Sequence, residues 1–341
     1  MLQTFLFLSI LWLIRIFIGE LIPYHLGGRE LSEKILHLEN ESKQVDILFL
    51  GSSRVRRGII PKRFDSLLSR HMNQSAISFN MGGPAASVGE NLYLLRHFST
   101  SEAGANLKTI VIEWMGDYIP GSEYYKTGRA QYWMDMESFR QQAKLLGDTP
   151  GWIGALKQGK LFYLTSAFFY RNFGLGRIRN YFMDNLAPDT TLNVDRGYAR
   201  LSDRHARLLS SGTADPGKPV YDPLQAGRDR ENAMRIHSLS DIDHVAQDLT
   251  IWLTLIRQYK VEGIRLILLI PPGQVSARQI ALARRIPTEH LLDLSNPNEY
   301  PDLYDPEIFF DFVHLNHEGA QRFTEHVAQA FLNDRARILK P

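Results

Sequence analysis

Cysteine is absent from the chain, which excludes disulfides, thiol nucleophiles and thiolate-held metals. The absence does not fix the redox compartment, since periplasmic proteins often lack cysteine too. Net charge is nearly absent as well. The 39 Lys and Arg face 37 Asp and Glu, leaving +2, a balance that argues against a dedicated nucleic-acid binder. No internal repeat or low-complexity tract interrupts the sequence. A composition 44% hydrophobic and 22% charged belongs to a folding chain, not a disordered one. One long apolar run stands out: Leu2 to Ile22, broken by Arg15 and Glu20 and ending at Pro23. About 20 helical residues cross a bilayer core, and no small-x-small cleavage site follows. Residues 1–23 therefore read as a retained membrane anchor, with a buried or interfacial amphipathic helix as the alternative. Charge counting, with Arg29 and Lys34 after the run, would put the following chain in the cytoplasm. Residues 24–44 read as a linker carrying a short polar helix.

Beyond it, strand-forming runs fall at Val45–Leu50, Ile77–Met81, Thr109–Trp114, Arg265–Ile270 and His290–Leu294. Helical patterns lie between and after them: one opened by Pro61, then Ser87–Phe98, Ile242–Tyr259 and Glu318–Leu332, whose Ala320, Phe323, Val327 and Phe331 share one face. Alternating strands and helices predict an α/β fold, a mainly parallel five-stranded sheet between two helical layers. Ligands of such sheets sit beyond the C-terminal strand ends. The stretch 118–238 breaks the rhythm, aromatic early and arginine-rich later. It reads as an insertion packing its own aromatics, or as a cap shaping a groove for an anionic glycan or touching a membrane surface.

The chemistry-bearing residues lie at those strand ends. Gly51-Ser52-Ser53-Arg54 follows the first run, and Asp311-Phe312-Val313-His314 stands near the C-terminus. A serine is a weak nucleophile until a histidine takes its proton, and the histidine needs a carboxylate to hold its tautomer. At i and i+3, Asp311 can bond the far ring nitrogen of His314; a metal-ligand pair, or a surface histidine with a chance neighbour, would show the same spacing. After the second strand, Asn80-Met81-Gly82-Gly83-Pro84-Ala85 is a small-residue loop suited to backbone oxyanion donors. Arg54, Arg56 and Arg57 read either as solvated charge or as a clamp for an acidic sugar or phosphate. Glu113 reads as a catalytic group or as the buried partner of an arginine. His237 and His244 read as surface residues, Asp293 as structural or pocket-lining, and Pro271-Pro272 as a turn.

With these blocks in place the chain resembles the SGNH (GDSL-type) hydrolase superfamily, from about Val45 to Leu332 outside the insertion. The resemblance implies a flavodoxin-like three-layer domain over 45–341. It implies Ser53 as nucleophile, His314 as base and Asp311 as its orienting acid, with no metal and no cofactor. Asn80 matches the second-block asparagine. The oxyanion glycine of that block falls on Ala85, or on Gly83 with a small shift, and Gly82 and Arg54 complete the implied binding residues. The third-block asparagine donor is replaced by Asp117 or by nothing, and an ionised aspartate cannot donate. Gly-Ser-Ser-Arg and the N-terminal anchor are similar to the subgroup that acylates envelope polymers, such as teichoic acid and alginate. That likeness implies a single-pass inner-membrane protein with a periplasmic catalytic domain, against the charge count. It also implies an envelope glycan or acyl-sugar substrate and a membrane-bound O-acyltransferase partner.

Overall fold

The computed structural model describes residues 2–21, 29–41, 45–72, 76–115, 122–125, 128–148, 154–172, 195–201, 223–239, 246–311 and 313–338. Its centre is a five-stranded sheet: β1 (Ile47–Leu50), β2 (Ser78–Asn80), β3 (Thr109–Glu113), β4 (Arg265–Ile270) and β5 (Leu291–Asp293). Every pairing is parallel and the spatial order is β2-β1-β3-β4-β5. The expected α/β class with a parallel five-stranded sheet is therefore present. Each strand is one or two residues shorter than its apolar run, except β4, because pairing stops where the chain turns off the sheet.

Strands buried on both faces need apolar residues at consecutive positions, not alternate ones. β1 supplies them, with Leu48, Phe49 and Leu50 all fully buried. Phe49 meets Phe64 of the helix Pro61–Met72 edge-on at 5.1 Å, and Phe64 meets Phe331 of the helix His317–Ile338 at 5.2 Å. Each such pair adds about 0.5–1.5 kcal/mol to the burial itself. Beyond β3, Trp114 packs against Trp252 of the helix Ala246–Val261, ring centres 5.2 Å apart and planes tilted by 39°. The order of the strands reverses between β1 and β3, and in open α/β sheets the crevice at that reversal is where ligands bind. Gly51-Ser52-Ser53 and Glu113 both sit there.

The chain divides into two compact units. One groups Met1–His37, Ser87–His97 and Asp117–Asp189; the other groups Leu38–Ala86, Phe98–Gly116 and Thr190–Pro341 and contains the sheet. Residues 118–189 of the inserted stretch belong to the first unit and residues 190–238 to the second. In the first, Glu90 is fully buried and accepts from Tyr132 Oη at 2.6 Å and Tyr124 Oη at 3.0 Å. The residues expected to form a linker include a helix, Arg29–Glu41, that buries Leu31, Ile35 and Leu38. The segment expected to anchor the chain is a 20-residue helix, Leu2–Leu21. Phe5, Leu6, Phe7, Ile10, Trp12, Leu13, Ile16 and Phe17 are exposed on it. Among the described residues no helix is long and apolar enough to cross a membrane.

Candidate active site

The turn that presents Ser53 depends on a close approach. A Cβ on Gly51 would lie 2.4 Å from Val55 Cγ2 and 2.7 Å from Glu113 Oε2, so only glycine fits between β1 and the six-residue helix Ser53–Gly58 that follows. Ser52 is the N-cap: its side chain accepts from the Arg54 N–H at 3.2 Å. Its own N–H donates to Glu113 Oε2 at 2.6 Å. Both polar ends of Ser52 are thus spent on the turn, which leaves the next serine to face the crevice.

His314 arrives from the opposite end of the chain. Asn316 places it by capping the C-terminal helix, accepting from the Gly319 N–H at 3.0 Å, while its own amide donates to Glu307 O at 2.6 Å. Asp311 closes the tight turn before it, Oδ1 accepting from the N–H groups of Val313 at 2.9 Å and His314 at 2.8 Å. The same carboxylate lies 2.9 and 2.8 Å from His314 Nδ1, and His314 Nε2 lies 2.7 Å from Ser53 Oγ. Two residues 261 positions apart meet at hydrogen-bonding distance. Partial burial pushes the Asp311 carboxyl upward, but the hydrogen bonds from His314 and Val313 and the histidine's charge hold it below the usual carboxylate range. An ionised Asp311 fixes the proton on Nδ1 and leaves Nε2 to accept from the serine hydroxyl.

The five other expected binding residues do different work. Asn80 is fully buried and its amide donates to Val55 O at 2.9 Å and Ile59 O at 2.8 Å. Its oxygen accepts from the Gly82 N–H at 2.9 Å, so the side chain of Asn80 braces the helix that carries Ser53 and has no polar group left for a ligand. That contact also spends the Gly82 donor, and the Gly83 N–H donates to Gly51 O at 3.0 Å. Neither glycine keeps an N–H for an oxyanion. Among the described residues, the N–H groups of Ser53 and Ala85 have no hydrogen-bond partner. Ala85 adopts φ +51°, the left-handed conformation that favours glycine. The position that the resemblance assigns to the oxyanion glycine keeps a glycine-like backbone with an alanine on it. Asp117 and His244 lie outside the described residues.

Arg54 turns inward instead of toward solvent. Its guanidinium donates to the carbonyls of Pro271 at 2.6 Å, Pro272 at 2.9 Å and Gln274 at 3.1 Å, and Nη1 lies 3.8 Å from Glu113 Oε1. It cannot also clamp an acidic sugar, and Glu113 proves to be an arginine's buried partner. Pro271-Pro272 does turn the chain, and supplies the acceptors for Arg54. Arg56 is buried, and Arg57 donates to Ala199 O at 3.4 Å. His237 is not a free surface residue, since its Nε2 lies 3.1 Å from Ser295 Oγ, which donates to Asp293 at 2.5 Å.

The segment 195–201 lies over the outer edge of the sheet, and no motif announced it. The Asn80 N–H donates to Arg196 O at 2.9 Å, the Ala199 N–H to Arg56 O at 3.1 Å, and the Arg196 side chain pairs with Asp65. Burial pushes the Asp65 carboxyl up to about 6, opposed by its bonds to Ser78 and Arg196. Tyr198 Oη lies 2.9 Å from His317 Nδ1, joining this segment to the helix that follows His314. No model of a known protein family matches the chain, and no curated protein matches it.

Proposed function

We propose that the protein is a serine acyl esterase or O-acyltransferase of the SGNH type, acting on acyl groups of a cell-envelope polysaccharide. The observation that carries this reading is the file Ser53 Oγ, His314 Nε2, His314 Nδ1, Asp311 carboxylate, with every step between 2.7 and 2.9 Å. Ser53 Oγ attacks the acyl carbonyl carbon as its proton passes to Nε2. The N–H groups of Ser53 and Ala85 donate to the oxyanion. Collapse breaks the bond to the leaving oxygen, which takes the proton back from Nε2 and leaves an acyl-Ser53 ester. Water or a sugar hydroxyl, deprotonated by the same Nε2, then attacks that ester; the acyl–Oγ bond breaks and Nε2 returns the proton to Ser53 Oγ, giving hydrolysis or transfer.

The polysaccharide substrate, the periplasmic location and a membrane-bound O-acyltransferase partner rest on the resemblance of the Gly51–Arg54 and Asp311–His314 blocks. Membrane attachment rests on the apolar run and on the exposed apolar side chains of Leu2–Leu21. A second reading, an accessory subunit that binds the acyltransferase and its polymer without chemistry of its own, draws on the spent Gly82 and Gly83 donors. One experiment separates the two. Purified protein is treated with a fluorophosphonate, whose fluoride Ser53 Oγ displaces, and assayed for acetyl-ester hydrolysis beside Ser53→Ala. Labelling and turnover that vanish in Ser53→Ala support the enzyme. Unlabelled wild type with no Ser53-dependent turnover overturns it in favour of the accessory subunit.

A further inference from the structure

The turn that presents the nucleophile is built around a carboxylate. Glu113 Oε2 holds the Ser52 N–H at 2.6 Å, one peptide away from the Ser53 N–H. Glu113 is 2% exposed, so water does little to screen it. An oxyanion at the Ser53 N–H forms on the order of 6 Å from that carboxylate by ordinary backbone dimensions. At an effective dielectric near 20, a like charge at that separation slows the step roughly a hundredfold. A site meant to gather negative charge therefore contains a built-in opponent, and the carboxylate cannot be dispensed with while Ser52 needs an acceptor.

Arg54 answers it. Its Nη1 lies 3.8 Å from Glu113 Oε1, and among the described residues no other cation is within ion-pair reach of Glu113. Glu113 Oε1 has no hydrogen-bond partner there, so its compensation is charge rather than hydrogen bonding. The guanidinium is held on its other side by the carbonyls of Pro271, Pro272 and Gln274. That loop is itself fixed: Gly273 has φ +104° and its N–H donates at 3.2 Å to Tyr304 Oη, which donates to Ser295 O at 2.6 Å. Burial pushes the Arg54 guanidinium downward, while Glu113 and Tyr304 pull it back up, and guanidinium stays charged throughout the working range.

We propose that Arg54 and Glu113 are a positioning pair for the nucleophile. Glu113 shapes the turn through Ser52, and Arg54 cancels the charge of Glu113 so that an oxyanion can form at Ser53, while strapping the loop Pro271–Gln274 to the turn. This inference rests on the acyl-transfer reading of Ser53. It assigns to the arginine after the serine an inward electrostatic task in place of contact with substrate.

The test is a charge cycle on the full chain, read as the fluorophosphonate labelling rate and as kcat and KM for p-nitrophenyl acetate, at a temperature where circular dichroism shows each variant folded. Arg54→Met is expected to slow labelling and lower kcat roughly 100-fold with KM changed less than about 3-fold. Glu113→Gln keeps an acceptor for Ser52 without the charge, and adding it to Arg54→Met is expected to recover at least about 10-fold. A merely structural arginine predicts the reverse, because the second substitution would add damage. Arg54→Met labelled at the wild-type rate, or a double variant no faster than Arg54→Met, overturns the pair while leaving the enzyme reading intact. A wild type that does not label overturns both. If Arg54→Met does not fold, Arg54→Lys replaces it: labelling within about 10-fold of wild type supports charge cancellation, and a loss as deep as that of Ser53→Ala overturns it.

Discussion

Replacing Ala85 by glycine tests the loop Gly82–Ala85 in a direction that few substitutions take, toward greater stability. Ala85 has φ +51°, where an L-residue carries roughly 1–2 kcal/mol of steric cost from its Cβ against the following carbonyl. Glycine removes that cost but adds backbone entropy to the unfolded chain, worth roughly 0.5–1 kcal/mol. The Ala85 side chain is exposed, so deleting its methyl leaves no cavity. The balance favours Ala85→Gly by about 0.5–1 kcal/mol, which at a urea slope of about 3 kcal/mol per molar moves the midpoint up by about 0.2–0.3 M. The Ala85 N–H proposed as an oxyanion donor is a backbone group and survives the change, so the fluorophosphonate rate should stay within about 3-fold of wild type. Urea titration followed by fluorescence, with labelling on the same preparation, reads both. A lowered midpoint would refute the strain argument, and a 10-fold slower labelling would refute a role confined to the backbone.

Two further substitutions probe the geometry on either side of the serine. Asp311→Asn leaves the turn acceptor but not the charge that fixes the Nδ1 tautomer, so kcat for an acetyl ester should fall about 1,000-fold or more at pH 7. Asp311 also has a pH signature. Its folded value lies below the usual carboxylate range, so its stabilising contribution is complete above about pH 4 and is lost as pH falls through the depressed value. Urea midpoints between pH 5 and pH 2 should therefore drop more steeply in wild type than in Asp311→Asn, and parallel curves would contradict the assignment. Gly51→Ala puts a Cβ 2.4 Å from Val55 Cγ2 and 2.7 Å from Glu113 Oε2. Relieving that overlap should cost about 1–3 kcal/mol and slow Ser53 labelling; an unchanged melting temperature would show that the turn has room.

The order of the elements was legible because fully buried parallel strands demand continuous apolar runs, and Val45–Leu50 and Arg265–Ile270 have them. Where the run and the strand disagree, as at Val45 and Trp114, the apolar residue packs in the core beyond the last pairing. Asp311 and His314 were legible as a local pair because three residues of turn bring a carboxylate to a ring nitrogen. The segment 195–201 was not, because its attachments to β2 and to the neighbouring helices include main-chain bonds and ion pairs with Asp65 and Lys62, none of which leaves a periodic trace.

The same division runs through the candidate site. The sequence by itself determined which chemistry was available: a serine behind a glycine, an aspartate at reach of a histidine, a loop of small residues, and no thiol. Those are properties of residue type and short spacing, which a chain carries before it folds. Tertiary structure decided which groups were left to act. It brought His314 to Ser53 across 261 positions. It spent the Gly82 and Gly83 donors on Asn80 and Gly51, and it turned Arg54 away from solvent onto Glu113 and three carbonyls. Hydrogen bonds are saturable and are allotted by what lies within about 3 Å in space, so no one-dimensional pattern records which donors remain.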